Sequence, residues 1–267
     1  MARTTSPCAT CALSTPQLDR LGLDAQEVDY VVALAGNPNT GKSTVFNNLT
    51  GLRQHTGNWP GKTIARAEGA FAYRGARYRI VDLPGTYSLL SATPDEEVAR
   101  DFILFGKPAV TIVVADATRL ERNLNLLLQV LHITDRAVLC VNFLDEAEAH
   151  GLVLDLGGLS TELGIPVVGA AARQGRGIPE LLEAVADVAE GRVECRPLRP
   201  RFEIPGLDHA IAELLPLLDH AYPGVSHADW VAMRLLEGDE EMATAVRDGH
   251  LGELRADHVA TEAGGHE

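Results

Sequence analysis

Apolar and polar positions along this chain follow two periods in turn. The run Val28 to Ala35 is apolar and rich in β-branched residues, which predicts a buried strand, and Thr44 to Leu49 predicts the first turns of a helix. Glu68 to Arg74 and Ala76 to Asp82 alternate apolar with polar around Gly75, the pattern of a hairpin. Apolar runs at Val110 to Ala115, Ala137 to Val141 and Ile165 to Val168 then take turns with helical stretches near Glu121 to Ile133, Ser160 to Leu163 and Pro179 to Ala189. Strands and helices in this alternation predict an α/β fold: a doubly wound, mostly parallel sheet with its ligand at the strands' carboxyl ends. Between the first helix and the hairpin, Arg53 to Thr63 has glycines, a proline and no periodicity, and is expected to be a mobile loop.

The pattern changes after Gly191. A Pro- and Arg-rich stretch gives way to Leu207, Ile211, Leu214, Leu215 and Leu218 at helical spacing, then Trp230, Met233 and Leu236, then Met242 and Val246. These stripes read as the core of a small all-α domain. The expected organisation is a flexible tail over 1–25, an α/β domain over 26–191, a linker over 192–205 and an acidic helical domain over 206–267.

Composition narrows the classes. Of 267 residues, 46% are hydrophobic, enough for a globular core. No apolar run reaches the ~18 to 20 residues that cross a membrane, and the N-terminus lacks the apolar core of a secretory signal, so the expected compartment is the cytoplasm. Net charge is −14, and Glu203 to Glu267 carries fourteen Asp and Glu against three Arg. Such a surface repels phosphate backbones and anionic lipid, which excludes nucleic acid as a partner. Cys8 and Cys11 form a C-x-x-C without a second pair at zinc-ribbon spacing, and two ligands leave tetrahedral zinc incomplete.

The chemistry gathers where strands end. Gly36-Asn37-Pro38-Asn39-Thr40-Gly41-Lys42-Ser43, followed by Thr44, fits the phosphate-loop pattern G-x-x-x-x-G-K-[ST] between a strand and a helix. Backbone N–H groups and the positive end of the helix converge there on an anion. Lys42 reaches β- and γ-phosphates in this reading, and Ser43 holds Mg²⁺. The hairpin's second strand delivers Asp82-Leu83-Pro84-Gly85, where Asp82 binds Mg²⁺ through water and the Gly85 N–H senses the terminal phosphate. Asn142-Phe143-Leu144-Asp145 follows a later strand. The Asp145 carboxylate can accept both the N1–H and the exocyclic amine of guanine, which adenine cannot supply together.

Phosphate loop, D-x-P-G and N-x-x-D in this order resemble the translation-factor-related GTPases. His55-Thr56-Gly57-Asn58-Trp59-Pro60-Gly61-Lys62-Thr63, Asp82 to Leu89 and Asn142 to Ala147, with Trp230 to Asp239, resemble more narrowly the cytosolic N-terminal domain of the bacterial ferrous iron transporter B family. The resemblance covers about residues 29 to 250. It implies a P-loop GTPase fold followed by a helical domain that influences nucleotide release, both preceding a membrane-embedded iron pathway, at the cytoplasmic face of the bacterial inner membrane. It further implies GTP and GDP as ligands, the membrane domain of the same transporter as partner, self-association, Mg²⁺ and K⁺ as cofactors, Thr63 completing Mg²⁺ coordination, Asn39 beside K⁺, and Ala171 and Ala172 backing the guanine. Lys42, Asn39, Thr63 and Gly85 are the expected catalytic set.

Three departures from the pattern bear on rate and release. Thr86 stands where a water-orienting Gln is usual, so intrinsic hydrolysis is expected at ~10⁻⁴ to 10⁻² s⁻¹. Phe143 replaces Lys, which changes stacking on the base; Gly169 to Ala172 lacks a serine, which predicts fast nucleotide release. Two other readings stand beside this one: a switch in which turnover is incidental, and a soluble GTPase of tRNA modification or ribosome assembly.

Overall fold

The computed structural model describes residues 28–52, 54–59, 62–90, 93–199 and 204–252. The expected tail over 1–25, the Cys8–Cys11 pair, Arg53, Pro60 and Gly61, and the chain after 252 lie outside them.

Seven strands form one sheet in the order β2-β3-β4-β1-β5-β6-β7. They are β1 (Tyr30–Gly36), β2 (Gln54–Asn58), β3 (Ala65–Tyr73), β4 (Ala76–Asp82), β5 (Val110–Asp116), β6 (Ala137–Asn142) and β7 (Val167–Gly169). Pairing is parallel from β4 through β1, β5 and β6 to β7, and antiparallel in β2–β3 and β3–β4. The predicted α/β class, the hairpin and the strand positions are all present.

The central strands are almost entirely apolar because helices cover both faces, with Thr111 of β5 the buried polar exception. Val32, Leu34, Ile112 and Val138 pack under α1 (Lys42–Thr50) and α6 (Ile178–Ala189), in one core with Val45, Phe46, Leu181 and Val185. The alternate residues Ala33, Val113 and Leu139 face α2 (Pro94–Leu104) and α3 (Leu120–Ile133), in a second core with Phe102, Leu126 and Val130. Short helices α4 (Leu144–Ala149) and α5 (Leu156–Leu163) complete this part.

Three elements differ from the sequence expectation, the unexpected short helix α4 among them. Gln54–Asn58 is a strand, not a loop: it pairs residue by residue with Ala65 to Gly69. What holds it is long-range. Trp59, 5% exposed, packs edge-on to Phe102 at 5.5 Å, and its backbone N–H donates to Ile64 O at 2.9 Å. Helix α2 was not expected from the sequence, and it begins at a cap. Thr93 Oγ1 accepts from the Glu96 N–H at 3.3 Å, Pro94 occupies the first turn, and Asp95, Glu96 and Glu97 complement the helix dipole.

The helical part, α7 (Leu207–Ala221), α8 (Ala228–Leu236) and α9 (Glu240–Arg247), does not keep a core of its own. Leu218, Trp230, Val231 and Met242 belong to the same apolar cluster as Leu89, Phe102 and Phe105. The segment leading to it is tied down as well: Arg196 N–H donates to Gly164 O at 2.8 Å and Arg199 Nε to Leu131 O at 2.8 Å.

Charges seal that seam. Arg100, 5% exposed, lies 2.8 Å from Asp101 and 3.8 Å from Glu241. Lys62 pairs with Glu97, and Glu97 shares a hydrogen bond with Glu241. Burial and then Glu97 push the Glu241 carboxyl up to about 8. Burial opposes ionisation of Glu97 too, but the hydrogen bonds from Glu241 and Lys62 outweigh it and hold Glu97 below its usual range. A raised folded-state value means that protonated Glu241 favours the fold below the unfolded value near 4.5, and that this contribution fades as pH rises through about 8. Thermal stability is therefore expected to drift down between pH 5 and 8.5, modestly because Glu241 is 46% exposed and water screens it. Glu241→Gln should flatten that drift; an unchanged slope in melting profiles taken across the range would refute the assignment.

Candidate functional site

The carboxyl ends of β1, β4, β6 and β7 bring four loops to one edge of the sheet. A cavity of about 470 Å³ opens there. The loop after β1 lines it with Asn37, Pro38 and Asn39 and then Gly41 through Thr44; Asn142, Phe143 and Arg173 complete the wall.

Local chemistry explains the loop's shape. Asn39 and Gly41 both have positive φ, 66° and 79°, and Thr40 Oγ1 donates to Asn37 O at 2.9 Å inside the turn. Gly41 cannot be replaced cheaply: a Cβ there would collide with Asn142 Nδ2 and come within 3.1 Å of Phe143 Cζ. Helix α1 starts immediately after, with no side chain capping its first N–H groups. Those donors, the helix dipole and Ser43 and Thr44, both exposed, face an anion-sized space. Among the described residues, Asn37 Oδ1 is buried without a hydrogen-bond partner on a cavity-lining side chain, a place for a donor or a cation.

Asn142, 1% exposed, staples three loops. Its Nδ2 donates to Thr40 O at 2.9 Å, and its Oδ1 accepts from the Ala172 N–H at 3.0 Å. Ala171 and Ala172 are buried, and Ala172 O accepts from Asn48 Nδ2 of α1 at 2.7 Å. Leu144 N–H donates to Ala170 O at 3.0 Å, so α4 begins against the loop after β7. Asp145 lies in the first turn of α4, where its Oδ2 accepts from Gln174 Nε2 at 2.8 Å.

Lys42 Nζ is paired with Asp82 and donates to Leu83 O at 2.7 Å. Burial raises the Asp82 carboxyl above its usual range, and the Lys42 charge opposes the shift. Gly85 is exposed, and a Cβ on it would meet Pro38 of the first loop at 3.5 Å, so the turn through Leu83, Pro84 and Gly85 lies against the phosphate loop. Thr86 is buried at 5% exposure. Thr63 is exposed in the turn after β2 and is absent from the cavity wall.

Sequence reasoning missed Arg173 and Gln174. Arg173 is an exposed cation on the cavity wall, and it has no hydrogen-bond or ion-pair partner among the described residues. Its signal was available: it directly follows the alanines assigned to the base.

A glycine-rich loop that runs from β1 into α1, in a mixed seven-stranded sheet of this order, makes this a P-loop GTPase fold. The family described as Ferrous iron transport protein B matches residues 30–185. The chain belongs to that family.

It is 41% identical over 217 residues to the Fe(2+) transporter FeoB of Salmonella typhimurium, an alignment covering 78% of this chain and 27% of that protein. The chain thus spans about a quarter of the length of the curated relatives it matches. Among solved structures, the cytosolic domain of T. maritima FeoB in a GDP form superposes with a TM-score of 0.75 at 33% identity, covering 87% of this chain and 89% of that one. The GMPPNP form of the same domain gives 0.73 at 34% identity, with 87% and 89% covered.

Proposed function

We propose that this chain binds GTP and GDP and slowly hydrolyses GTP as the cytosolic regulatory part of a ferrous iron transporter. The cavity at the start of α1, walled by the phosphate loop on one side and by Asn142 and Phe143 on the other, carries this reading. The GDP and GMPPNP forms of the T. maritima relative support it. Family membership disfavours the soluble GTPase of tRNA modification or ribosome assembly.

In this reading the first N–H groups of α1 and Lys42 hold the β- and γ-phosphates. Asp145 reads the guanine edge, Phe143 and Ala171–Ala172 bound the base, and the Gly85 N–H meets the terminal phosphate. The oxygen donors of Ser43 and Asp82 suit Mg²⁺, a hard cation, and Thr63 would join them by movement of the turn after β2. Bound Mg²⁺ supplies charge neutralisation on the phosphate oxygens. The exposed Asn39 side chain, beside the buried Asn37 acceptor, suits K⁺ near the same phosphates. Buried Thr86 puts no water-orienting amide at the turn, which supports a slow intrinsic rate. The transporter's membrane domain is the natural partner, the inner membrane's cytoplasmic face the location, and self-association a further property.

The test compares binding of GDP, GMPPNP and ADP, and phosphate release in KCl against NaCl with Mg²⁺ present. Guanine selectivity with faster release in KCl is expected; equal binding of ADP would defeat the reading. In the complete transporter, Asn39→Ala or Thr63→Ala should stop hydrolysis and transport together. Hydrolysis lost with transport intact would leave only a binding switch.

Arg173→Ala should weaken GDP binding about three- to tenfold and make it less sensitive to salt, since a wall cation faces the nucleotide. Titrations at two ionic strengths decide this.

A further inference from the structure

We infer that Gln174 is a positioning residue for guanine recognition: its side-chain amide pins the Asp145 carboxylate in the plane that meets both guanine donors at once. The inference rests on the guanine-nucleotide reading above.

The Gln174 Nε2 to Asp145 Oδ2 bond, 2.8 Å long, joins residues 29 apart in sequence. Both ends are held by backbone. Gln174 closes a 3₁₀ turn, its N–H donating to Ala171 O at 2.8 Å, while Ala171 N–H donates to Arg176 O at 3.0 Å. Asp145 follows Phe143, whose φ of 62° sets the start of α4, and Leu144 N–H is anchored on Ala170 O. The same two segments are crossed again by Asn142 to the Ala172 N–H and by Arg176 to Glu148. Of these cross-links, the one from Gln174 is the one that ends on the carboxylate assigned to the base.

Lone-pair geometry gives the bond its consequence. An ionised carboxylate offers about four acceptor positions, two on each oxygen. Gln174 takes one on Oδ2 and leaves one there and both on Oδ1. A base with two parallel donors needs one position on each oxygen in a common plane, and a free Asp side chain would lose rotational freedom to provide it. The loop after β7 has alanine at 170, 171 and 172, so no hydroxyl is available there to do this. Gln174, two residues on, supplies the donor.

A ligand with one donor separates orientation from mere attraction. Inosine diphosphate keeps N1–H and lacks the exocyclic amine, so either oxygen satisfies it at many carboxylate angles. Gln174→Ala should therefore weaken GDP about three- to tenfold while inosine diphosphate stays within about twofold. Gln174→Arg restores a donor and should recover most of the GDP preference; Gln174→Glu places a second anion beside Asp145 and should do no better than Ala. Gln174 is exposed, so its variants are expected to fold, and circular dichroism checks that.

The measurement is competition of GDP, inosine diphosphate and ADP against a fluorescent guanine nucleotide, on the wild-type chain and the three variants. A fall in the GDP-to-inosine ratio in Gln174→Ala, reversed by Arg, supports the assignment. An equal loss for both ligands, an unchanged ratio, or tighter GDP binding on removal of the amide overturns it. If wild type prefers GDP to ADP but the ratio ignores Gln174, only this inference falls. If wild type shows no guanine preference, the reading beneath it falls as well.

Discussion

Asp145→Asn is expected to lower GDP affinity by about a hundredfold or more and to raise affinity for xanthosine diphosphate. In the proposed reading the wild-type carboxylate presents two acceptors to two donors of guanine. An amide presents one acceptor and one donor, and its N–H₂ then opposes the exocyclic amine. Xanthine carries a carbonyl at that position and accepts what guanine repels. The fold should survive, because Asp145 lies in the first turn of a short surface helix and its described hydrogen bond is to exposed Gln174. Competition of the two diphosphates against a fluorescent nucleotide gives the answer. Retained GDP selectivity would mean that another group reads the base.

Lys42→Ala should cost about a hundred- to a thousandfold in GTP turnover, the scale of losing one preorganised donor to the charge that develops in the transition state. A second effect follows from the pairing seen here. Burial already raises the Asp82 carboxyl, and Lys42 is the charge that opposes it. Without the lysine, Asp82 ionises at a higher pH. In the nucleotide-free variant the Asp82 carboxyl should therefore titrate at a higher pH than in the wild type. Single-turnover hydrolysis measures the first effect, and an NMR pH titration of the Asp82 carboxyl in the nucleotide-free protein measures the second. An unshifted titration would mean that Lys42 does not set the Asp82 charge.

Both predictions use residues legible without coordinates. The phosphate loop from Gly36 to Ser43 is local chemistry: a tight turn with positive φ at Asn39 and Gly41, joined to a strand before it and a helix after it. Residues within eight positions determine that shape, so their spacing carries it. The central strands were legible for a similar reason, since burial on both faces demands unbroken apolar runs such as Ala137 to Val141. The N-x-x-D stretch was legible because β6 must end where its apolar run ends, which delivers Asn142 to the sheet's edge.

Other features depend on groups far apart in the chain. Gln54–Asn58 has no strand pattern of its own; it is a strand because Ala65 to Gly69 offers a free edge and Trp59 finds Phe102. The helices after 206 show amphipathic stripes, but the stripes do not say what they cover. Trp230 and Met242 close over the cluster around Phe102, with Arg100 and Glu241 across the seam, and that apposition is a tertiary fact. Arg173 and Gln174 look like ordinary polar loop residues until the loop after β7 is brought against α4. Spacing along the chain thus determined which loops carry the proposed phosphate and base contacts, because those loops are shaped within a turn or at a strand's end. Only the packed structure decided which side chains from distant segments finish the wall and bond to the Asp145 carboxylate, because hydrogen bonds between segments are set by the sheet's order and not by distance along the sequence.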